Sequence, residues 1–406
     1  MYRQKLIEVS NELLKCERPF RQGKVWINIP DHLRKIMQDL PPIKEIIDNC
    51  VNLGTASRSI GVSDVAELIV IGAQNDGIEK TVDSLINYVS QDYTPCVQVL
   101  MLRGIKVAGS VELLDGVFIA KPEDVPSLPL VRHLNHYNFR LHTGNVGVMS
   151  PFNDYQSDDP PDSVIYKVVN AKPKFFPLGF DLNEFEIEAK KHFIVGTISN
   201  LLPLIFPEVS IRHSHYAGAL QNSFLESLTP SSWSSSGWAD LGVESREATD
   251  ETLEGFRDIL SKYLALSDDQ RSKLDVPLHR LREAARHRNP VDRAIDLGVA
   301  FEALLLRDQP DQTQLALQFR LRGSWLLGKD LEERKKIYKL LRDVYAYRST
   351  AAHTGKLTAK PKEHEYACGR LAEGLELCAD AIKAFINTKD INWEDLLLGM
   401  DKGRPA

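Results

Sequence analysis

One arginine and one histidine lie at the end of a long amphipathic segment, in the stretch YAYRSTAAHTG at residues 345–355. From Asp330 to Ala352 apolar residues recur at helical spacing, which predicts a helix with one buried stripe. Arg348 comes eleven residues after Ile337, so its direction differs by only about 20° from that of this apolar residue. A guanidinium on a packed face needs either a carboxylate partner or a groove that admits a phosphate.

The histidine, His353, follows near the predicted end of the same helix. Gly355 is expected to supply a left-handed cap, and Pro361 lies beyond it. The helix dipole favours a protonated imidazole at this end. Side chains five residues apart on a regular helix diverge by about 140°. Arg348 and His353 therefore share a target only if the last turn unwinds or a second chain supplies one of them.

The segment RSTAAH, residues 348–353, fits the pattern of arginine, four to six residues and histidine that marks HEPN domains, and its surroundings resemble the ApeA-like branch of that superfamily. Three further stretches resemble this branch in the same order: DRAIDLGVAFEALLL at 292–306, LALQFRLRGSWLL at 315–327 and DINWEDLLLG at 390–399. The resemblance covers the C-terminal part of the chain well and the N-terminal part only loosely. Many catalytic members carry asparagine, aspartate or histidine directly after the arginine, where this chain has Ser349.

The resemblance implies a metal-independent endoribonuclease that works as a homodimer and needs no cofactor. In such a reaction the 2'-hydroxyl of RNA attacks the adjacent phosphate. The implied catalytic residues are Arg348, which grips phosphate oxygens, and His353, which transfers a proton. Ser349 is a supporting residue. The implied setting is an effector in prokaryotic anti-phage defence or a toxin-like system.

Glu302 is a second supporting candidate. It shares a helical stripe with Ile295, Val299 and Leu306, so a carboxylate projects where apolar residues belong. We expect it to pair with Arg348, Arg320 or Arg322. A purely structural ion pair is an equally open interpretation.

Basic residues concentrate around these candidates. Residues 276–356 contain 16 Lys and Arg against 10 Asp and Glu, a local charge of +6 in a chain whose net charge is −6. Such an excess suits a polyanion such as RNA, although surface helices are often basic without binding anything. Arg282 and Arg286 share one helix face and are candidates for guiding an RNA backbone. Cations that only answer a helix dipole are the alternative.

Composition indicates an ordinary globular protein, with 43% hydrophobic and 26% charged residues. Its five cysteines form no CxxC pair, which suggests neither a zinc ribbon nor a disulfide framework. The N-terminus does not resemble a signal peptide, and no run of about 18 apolar residues exists to span a bilayer. We therefore expect a cytoplasmic protein without a membrane partner.

The order of patterns predicts an α+β N-terminal domain followed by an all-α, HEPN-like helical bundle. We assign residues 1–226 to a sensor or regulatory domain, 227–248 to a Ser/Gly-rich connector and 249–406 to the helical domain. We expect helices over 33–51, 182–204 and the two halves of 60–89, and strands within 96–120 and 163–170. After residue 249 we expect five or six helices, one of which begins at a capping box at 267–270 and is stopped by Pro290.

Two other classes of function stay open. The first is a HEPN domain without catalysis that serves as a dimerisation or RNA-binding module. The second is a metal-dependent nuclease of the PD-(D/E)xK type, whose order of residues is matched by Pro161, Asp162, Glu188 and Lys190. The ExK segment reads as helix rather than strand, which disfavours that class. The pairs His133/His136 and His213/His215 have spacings that could ligate a metal, but nothing else in the sequence completes a zinc set.

Overall fold

The chain divides into two compact units in the computed structural model. The described residues are 2–16, 20–21, 24–25, 27–127, 130–131, 161–180, 194–207, 209, 211–228, 231–235, 245–286, 289–307, 314–358, 363–388 and 390–398. The first unit comprises Met1–Arg103, Val107–Gly196 and Arg212–Leu241, and the second comprises Gly104–Lys106, Thr197–Ile211 and Gly242–Ala406. The first is α+β and the second is helical, which confirms the predicted order of classes.

Helices and antiparallel strands alternate in the first unit. Its helices are α1 (Tyr2–Lys15), α2 (Asp31–Asp39), α3 (Pro41–Ile47), α4 (Val62–Asp76) and α5 (Ile78–Ser90). Its strands are β1 (Phe20–Arg21), β2 (Lys24–Val25), β3 (Asn49–Asn52), β4 (Ser57–Ser59), β5 (Thr94–Arg103), β7 (Val111–Leu114), β8 (Val117–Ala120), β9 (Ser163–Ala171), β10 (Phe175–Pro177), β11 (Arg212–Ala219) and β12 (Ser231–Ser235). The short strand β6 (Ile105–Val107), which follows β5 in the chain, belongs mostly to the second unit.

A six-stranded antiparallel sheet forms the centre of this unit, in the order β12-β11-β5-β9-β8-β7. Strand β5 is buried on both faces, because Cys96 packs with the helices while Val97, Val99 and Met101 pack in a second apolar cluster. Alternate side chains of a strand point to opposite faces, so a central strand covered on both sides is apolar throughout. The strands predicted within 96–120 and 163–170 are confirmed.

One prediction for this unit is wrong. A single helix was expected over 33–51, but α2 ends at Asp39, α3 begins at Pro41, and Asn49–Asn52 forms β3. This strand pairs with β10 and β4, and its ladder with β10 joins residues more than 120 positions apart. In the predicted connector, Ser231–Ser235 pairs with β11 as an edge strand. Local periodicity cannot reveal such pairings, because the partner lies elsewhere in the chain.

Helices dominate the second unit. They are α6 (Ile194–Leu201), which belongs to this unit from Thr197 onward, α7 (Asp250–Leu264), α8 (Asp268–Arg286), α9 (Pro290–Leu305), α10 (Leu315–Leu327), α11 (Leu331–Thr354), α12 (His364–Thr388) and the short α13 (Trp393–Leu397). A 3-10 turn at Leu202–Leu204 follows α6, and the strand β13 (Arg246–Ala248) pairs with β6. Of the described helices, none combines the length and the apolar composition that crossing a bilayer requires.

Capping explains where several of these helices begin. Ser267 and Gln270 exchange hydrogen bonds between side chain and backbone at 3.0 and 3.2 Å, so the predicted capping box is confirmed. Pro290 does more than stop the preceding helix, because it is the first residue of α9 and follows Asn289 as N-cap. Helix α8 is described as far as Arg286, and residues 287 and 288 lie outside the described residues. Local caps thus set the register of the helices that carry the candidate site.

An aromatic cluster packs α9, α10 and α11 together. The rings of Phe301 and Phe319 are 5.8 Å apart, and those of Phe319 and Tyr345 are 5.2 Å apart, both pairs edge to face. Phe301 and Phe319 are fully buried. This cluster fixes α11 against α9, the two helices that carry Arg348 and Glu302.

Candidate functional site

Helix α11 positions both predicted catalytic residues. At its start the Asp330 side chain accepts hydrogen bonds from the backbone N–H groups of Glu332 and Glu333, at 2.8 and 2.9 Å. At its end Gly355 has φ of +65° and its N–H donates to the Ala351 carbonyl at 2.9 Å. The predicted left-handed cap is confirmed. The helix is regular through Thr354, so its last turn does not unwind.

Arg348 meets Glu302 across the contact between α11 and α9. The arginine Nη2 donates to Glu302 Oε2 at 2.9 Å, and the two side chains are 30% and 25% exposed. The expected pairing of Glu302 with a cation is confirmed, and Arg348 is the partner. The other two candidates are engaged elsewhere: Arg320 lies over the Tyr338 ring at 5.0 Å, and Arg322 donates to the Leu305 carbonyl at 2.7 Å.

Glu302 lies on the flank of α9 rather than on its most buried stripe. The fully buried face of this helix carries Ala294, Leu297, Phe301 and Leu305, whereas Glu302 is half-buried. The buried face of α9 therefore lies about one residue, or roughly 100°, around the helix from the predicted stripe. The displacement matters chemically, because the carboxylate lies at the margin of the core where water and ligands have access.

Gly298 makes the Arg348–Glu302 contact sterically possible. A Cβ at position 298 would lie 2.3 Å from Arg348 Cγ and 2.7 Å from its Cβ, closer than side chains pack. The arginine stem therefore crosses α9 at a glycine, one helical turn before Glu302. Sequence reasoning missed this residue, although a glycine in a helix interior four positions before a half-buried carboxylate is a usable signal.

The charges at this site are unequally satisfied. Partial burial raises the pKa of Glu302, while the attraction of Arg348 opposes that rise. A guanidinium has five N–H donors. Within the described part of the chain, Arg348 uses one of them, toward Glu302. The structure gives the remaining donors of this partly exposed group no partner among the described residues, and such donors suit an anion.

His353 and Ser349 occupy other directions on the same two turns of helix. His353 is exposed, Ser349 is half-buried, and neither side chain forms a hydrogen bond to another described residue. In the regular helix observed here, His353 and Arg348 diverge by about 140°. Within this chain the two side chains therefore leave the helix in different directions.

Arg282 and Arg286, the candidates for guiding RNA, have intramolecular partners. Both form ion pairs with Glu283, at 3.3 and 3.2 Å, and their side chains are only 21% and 24% exposed. Arg282 also donates to the Asn200 amide oxygen at 3.1 Å. Glu283 lies three residues before Arg286, a spacing that already indicates this pairing from the sequence, whereas the contact of Glu283 with its neighbour Arg282 follows from the structure. Their role in RNA binding stays a prediction.

The residues of the alternative metal sites are only partly described. Glu188, Lys190, His133 and His136 lie outside the described residues, as does the side chain of His213. His215 is buried in β11, and burial lowers its pKa to about 4. In the part of the chain that the structure describes, no group of three or more His, Cys, Asp or Glu is placed to hold a metal ion.

No family model, curated protein or solved structure matches this chain at a significant level. The candidate site consists of a partly exposed arginine that one carboxylate anchors and an exposed histidine on the same helix.

Proposed function

We propose that the chain is a metal-independent endoribonuclease of the HEPN type, with Arg348 and His353 as catalytic residues. The observation that supports this most directly is the state of Arg348, which Glu302 anchors at 2.9 Å while its other guanidinium donors have no partner among the described residues. A cation that is positioned but not saturated suits a phosphate that carries more charge in the transition state than in the ground state.

The proposed reaction transfers two protons and rearranges one phosphodiester. The 2'-oxygen of the ribose forms a bond to phosphorus as its proton leaves to a base. The bond from phosphorus to the 5'-oxygen then breaks, and that oxygen takes up a proton. The products are a 2',3'-cyclic phosphate and a 5'-hydroxyl. His353 accepts the first proton or supplies the second, and the Arg348 fork neutralises the phosphorane oxygens.

A homodimer is part of this proposal. Because α11 stays helical through Thr354, the two catalytic side chains of one protomer point about 140° apart. A composite site, with Arg348 from one protomer and His353 from its partner, brings both to one phosphate. A twofold dimer forms two such sites.

Glu302 acts in this scheme as a positioning residue. It holds the guanidinium at the margin of the core, and Gly298 leaves room for the arginine stem beneath it. Ser349 lies next to Arg348 and is a candidate hydroxyl at the edge of the site. The setting that we propose, an effector in prokaryotic defence or a toxin-like system, follows from the resemblance in sequence.

The same ion pair favours a second candidate function, a HEPN module that binds RNA or dimerises without cleaving. Glu302 already neutralises one positive charge of the site. A half-buried ion pair between two helices also serves to hold the helices together without taking part in a reaction. Under this second function the Arg348 and His353 variants have no cleavage to lose.

Product analysis separates these functions. Purified wild-type protein, His353→Ala and the control His32→Ala, which replaces an exposed histidine of the first unit, are incubated with RNA with and without EDTA. The proposal expects cleavage that survives EDTA, leaves cyclic phosphate ends and is lost only in His353→Ala. Equal cleavage by all three proteins, or cleavage stopped by EDTA, contradicts it. Binding of RNA without cleavage by the wild type indicates the non-catalytic module.

Mixing two inactive variants tests the composite site. When Arg348→Ala and His353→Ala proteins are mixed and allowed to exchange subunits, half of the dimers are mixed and each has one intact site. The expected recovery is roughly a quarter of wild-type activity. No recovery, despite subunit exchange shown by native mass spectrometry, excludes a site shared between protomers.

A further inference from the structure

The solvent-facing side of α11 carries a line of cations that ends at His353. Lys335, Lys339, Arg342 and His353 lie within about 60° of one another around the helix, together with the small residue Ala346. All five are exposed. The opposite side of the helix is its buried face, with Leu340, Leu341, Val344 and Ala351.

The charge balance of this helix is one-sided. From Lys335 to Thr354 it contains five Lys and Arg residues and one carboxylate, Asp343. That carboxylate is itself largely buried and is bound by Arg370 of α12 at 3.1 Å. Its contact with Arg342, at 3.0 Å, is therefore shared with a second cation. Among the described residues of this helix face, the exposed cations therefore outnumber the exposed carboxylates, and Glu332 beside Lys335 is the exposed carboxylate.

The cations of this face are accessible and weakly held. The Lys335 and Arg342 side chains are 54% and 58% exposed. Lys335 pairs with Glu332 at 2.8 Å, and within the described residues Lys339 has no ion pair. Exposed pairs of this kind contribute at most about 1 kcal/mol, so a phosphate displaces the carboxylate at little cost. Arg282 and Arg286 are less available, since both are half-buried against Glu283.

We propose that this exposed face of α11 is a track for the backbone of single-stranded RNA that leads to His353. It rests on the proposed function, which makes His353 the place where the RNA is cut. The distance along the helix from Lys335 to His353 is about 27 Å, long enough to meet several consecutive phosphates. Ala346 leaves the path between Arg342 and His353 clear of bulky side chains. Cations that displace counterions from phosphates provide affinity without reading sequence.

Binding is tested with full-length protein that carries His353→Ala, so that the RNA stays intact. One variant adds Lys335→Gln, Lys339→Gln and Arg342→Gln. The matched control adds Lys5→Gln, Lys35→Gln and Lys44→Gln, three exposed lysines of the first unit. Fluorescence anisotropy with a short labelled single-stranded RNA gives Kd across a range of salt concentrations, and circular dichroism confirms that all proteins are folded.

The track variant is expected to bind at least about tenfold more weakly at low salt. Its plot of log K against log salt is expected to be shallower by about 2, because three phosphate contacts on a single strand contribute about 0.7 each. The control variant should match its parent in both quantities. Equal weakening of the two variants, or an unchanged salt slope, overturns the track. Competition by poly-glutamate as strong as that by RNA of equal charge also overturns it, because the face would then be a general site for acidic chains.

Cleavage measurements keep the two proposals distinct. If wild-type protein cuts RNA and the track variant with His353 restored cuts and binds like wild type, the track fails and the ribonuclease function stands. If wild-type protein does not cut but the track variant loses RNA binding, the ribonuclease function fails and the track stands as an RNA-binding surface.

Discussion

Lys174 in the α+β unit and Arg348 in the helical unit are both partly buried cations next to a glutamate, but their donors are used differently. Lys174 is 7% exposed, and its Nζ donates to the carbonyl oxygens of Val89 and Gln91 at 2.6 and 2.8 Å. The same nitrogen lies 3.3 Å from Glu45 and 4.7 Å from the centroid of the Phe175 ring.

An ammonium has three donors, so the carbonyl and carboxylate contacts of Lys174 saturate it. It closes the C-terminal end of α5, where helix carbonyls lack intrahelical partners. Arg348 has five donors, is 30% exposed and, among the described residues, bonds to Glu302 alone. Burial of a cation therefore does not by itself indicate a function, and we expect an anion to bind where donors have no partner among the described residues.

The largest effect on RNA cleavage is expected from substitutions of Arg348. Arg348→Ala should lower the rate of RNA cleavage by about 10²–10³-fold, because it removes the donors that neutralise the phosphorane. Single-turnover cleavage assays measure this. Arg348→Lys should recover only part of the rate, since an ammonium cannot bind two phosphate oxygens as a fork. Full activity of Arg348→Ala would make Arg348 as structural as Lys174, and full activity of Arg348→Lys would show that a bidentate fork is not needed.

Substitution of Lys174 should instead change stability. Lys174→Met is expected to lower the free energy of unfolding by about 3 kcal/mol, because it leaves buried carbonyls without a donor. Urea denaturation measures the change. The control is Lys172→Met, two residues away, where an exposed pair with Asp92 predicts a change within about 0.5 kcal/mol. Similar losses in both variants would contradict a special role for Lys174.

His215 in the first unit is buried, whereas His353 in the second unit is exposed. Burial lowers the pKa of His215 to about 4, below the ordinary 6.5, so the folded state favours its neutral form. The associated stability is fully present above pH 6.5 and is lost as the pH falls toward 4. We expect a loss of about 2 kcal/mol by pH 5 and about 3 kcal/mol by pH 4.

Urea denaturation of wild type and His215→Leu at pH 7 and pH 5 measures this dependence. The variant should lose the part of the decline that belongs to His215. A decline of equal size in wild type and His215→Leu would show that other groups cause it.

A smaller effect is expected from the glycine beneath Arg348. Gly298→Ala places a methyl group 2.3 Å from Arg348 Cγ, which should cost about 1–3 kcal/mol of stability and also lower the cleavage rate. Gly369→Ala, in α12, is the matched control, because a Cβ there meets nothing within 4 Å. It should raise stability by about 0.5–1 kcal/mol and leave cleavage unchanged. Thermal melts and cleavage assays measure both quantities.

The helical unit was easier to predict than the sheet. The capping box at Ser267 and Gln270, the left-handed Gly355 and the extent of α11 followed from residues close together in sequence. The strand Asn49–Asn52 was predicted as helix, because its partner strand β10 begins at residue 175. Capping and helical periodicity are local, whereas the pairing of strands is decided by residues far apart in the chain.

For the candidate site, the sequence determined the residue types, their spacing on one helix and the divergence of Arg348 from His353. It also narrowed the partner of Glu302 to three arginines. Only the tertiary structure decided among them, because the choice depends on how α9 and α11 pack and on the missing side chain at Gly298. The structure likewise showed which donors of Arg348 and Lys174 are used among the described residues. The position of a residue along the chain specifies its direction on a helix, while the packing of helices specifies what that direction meets.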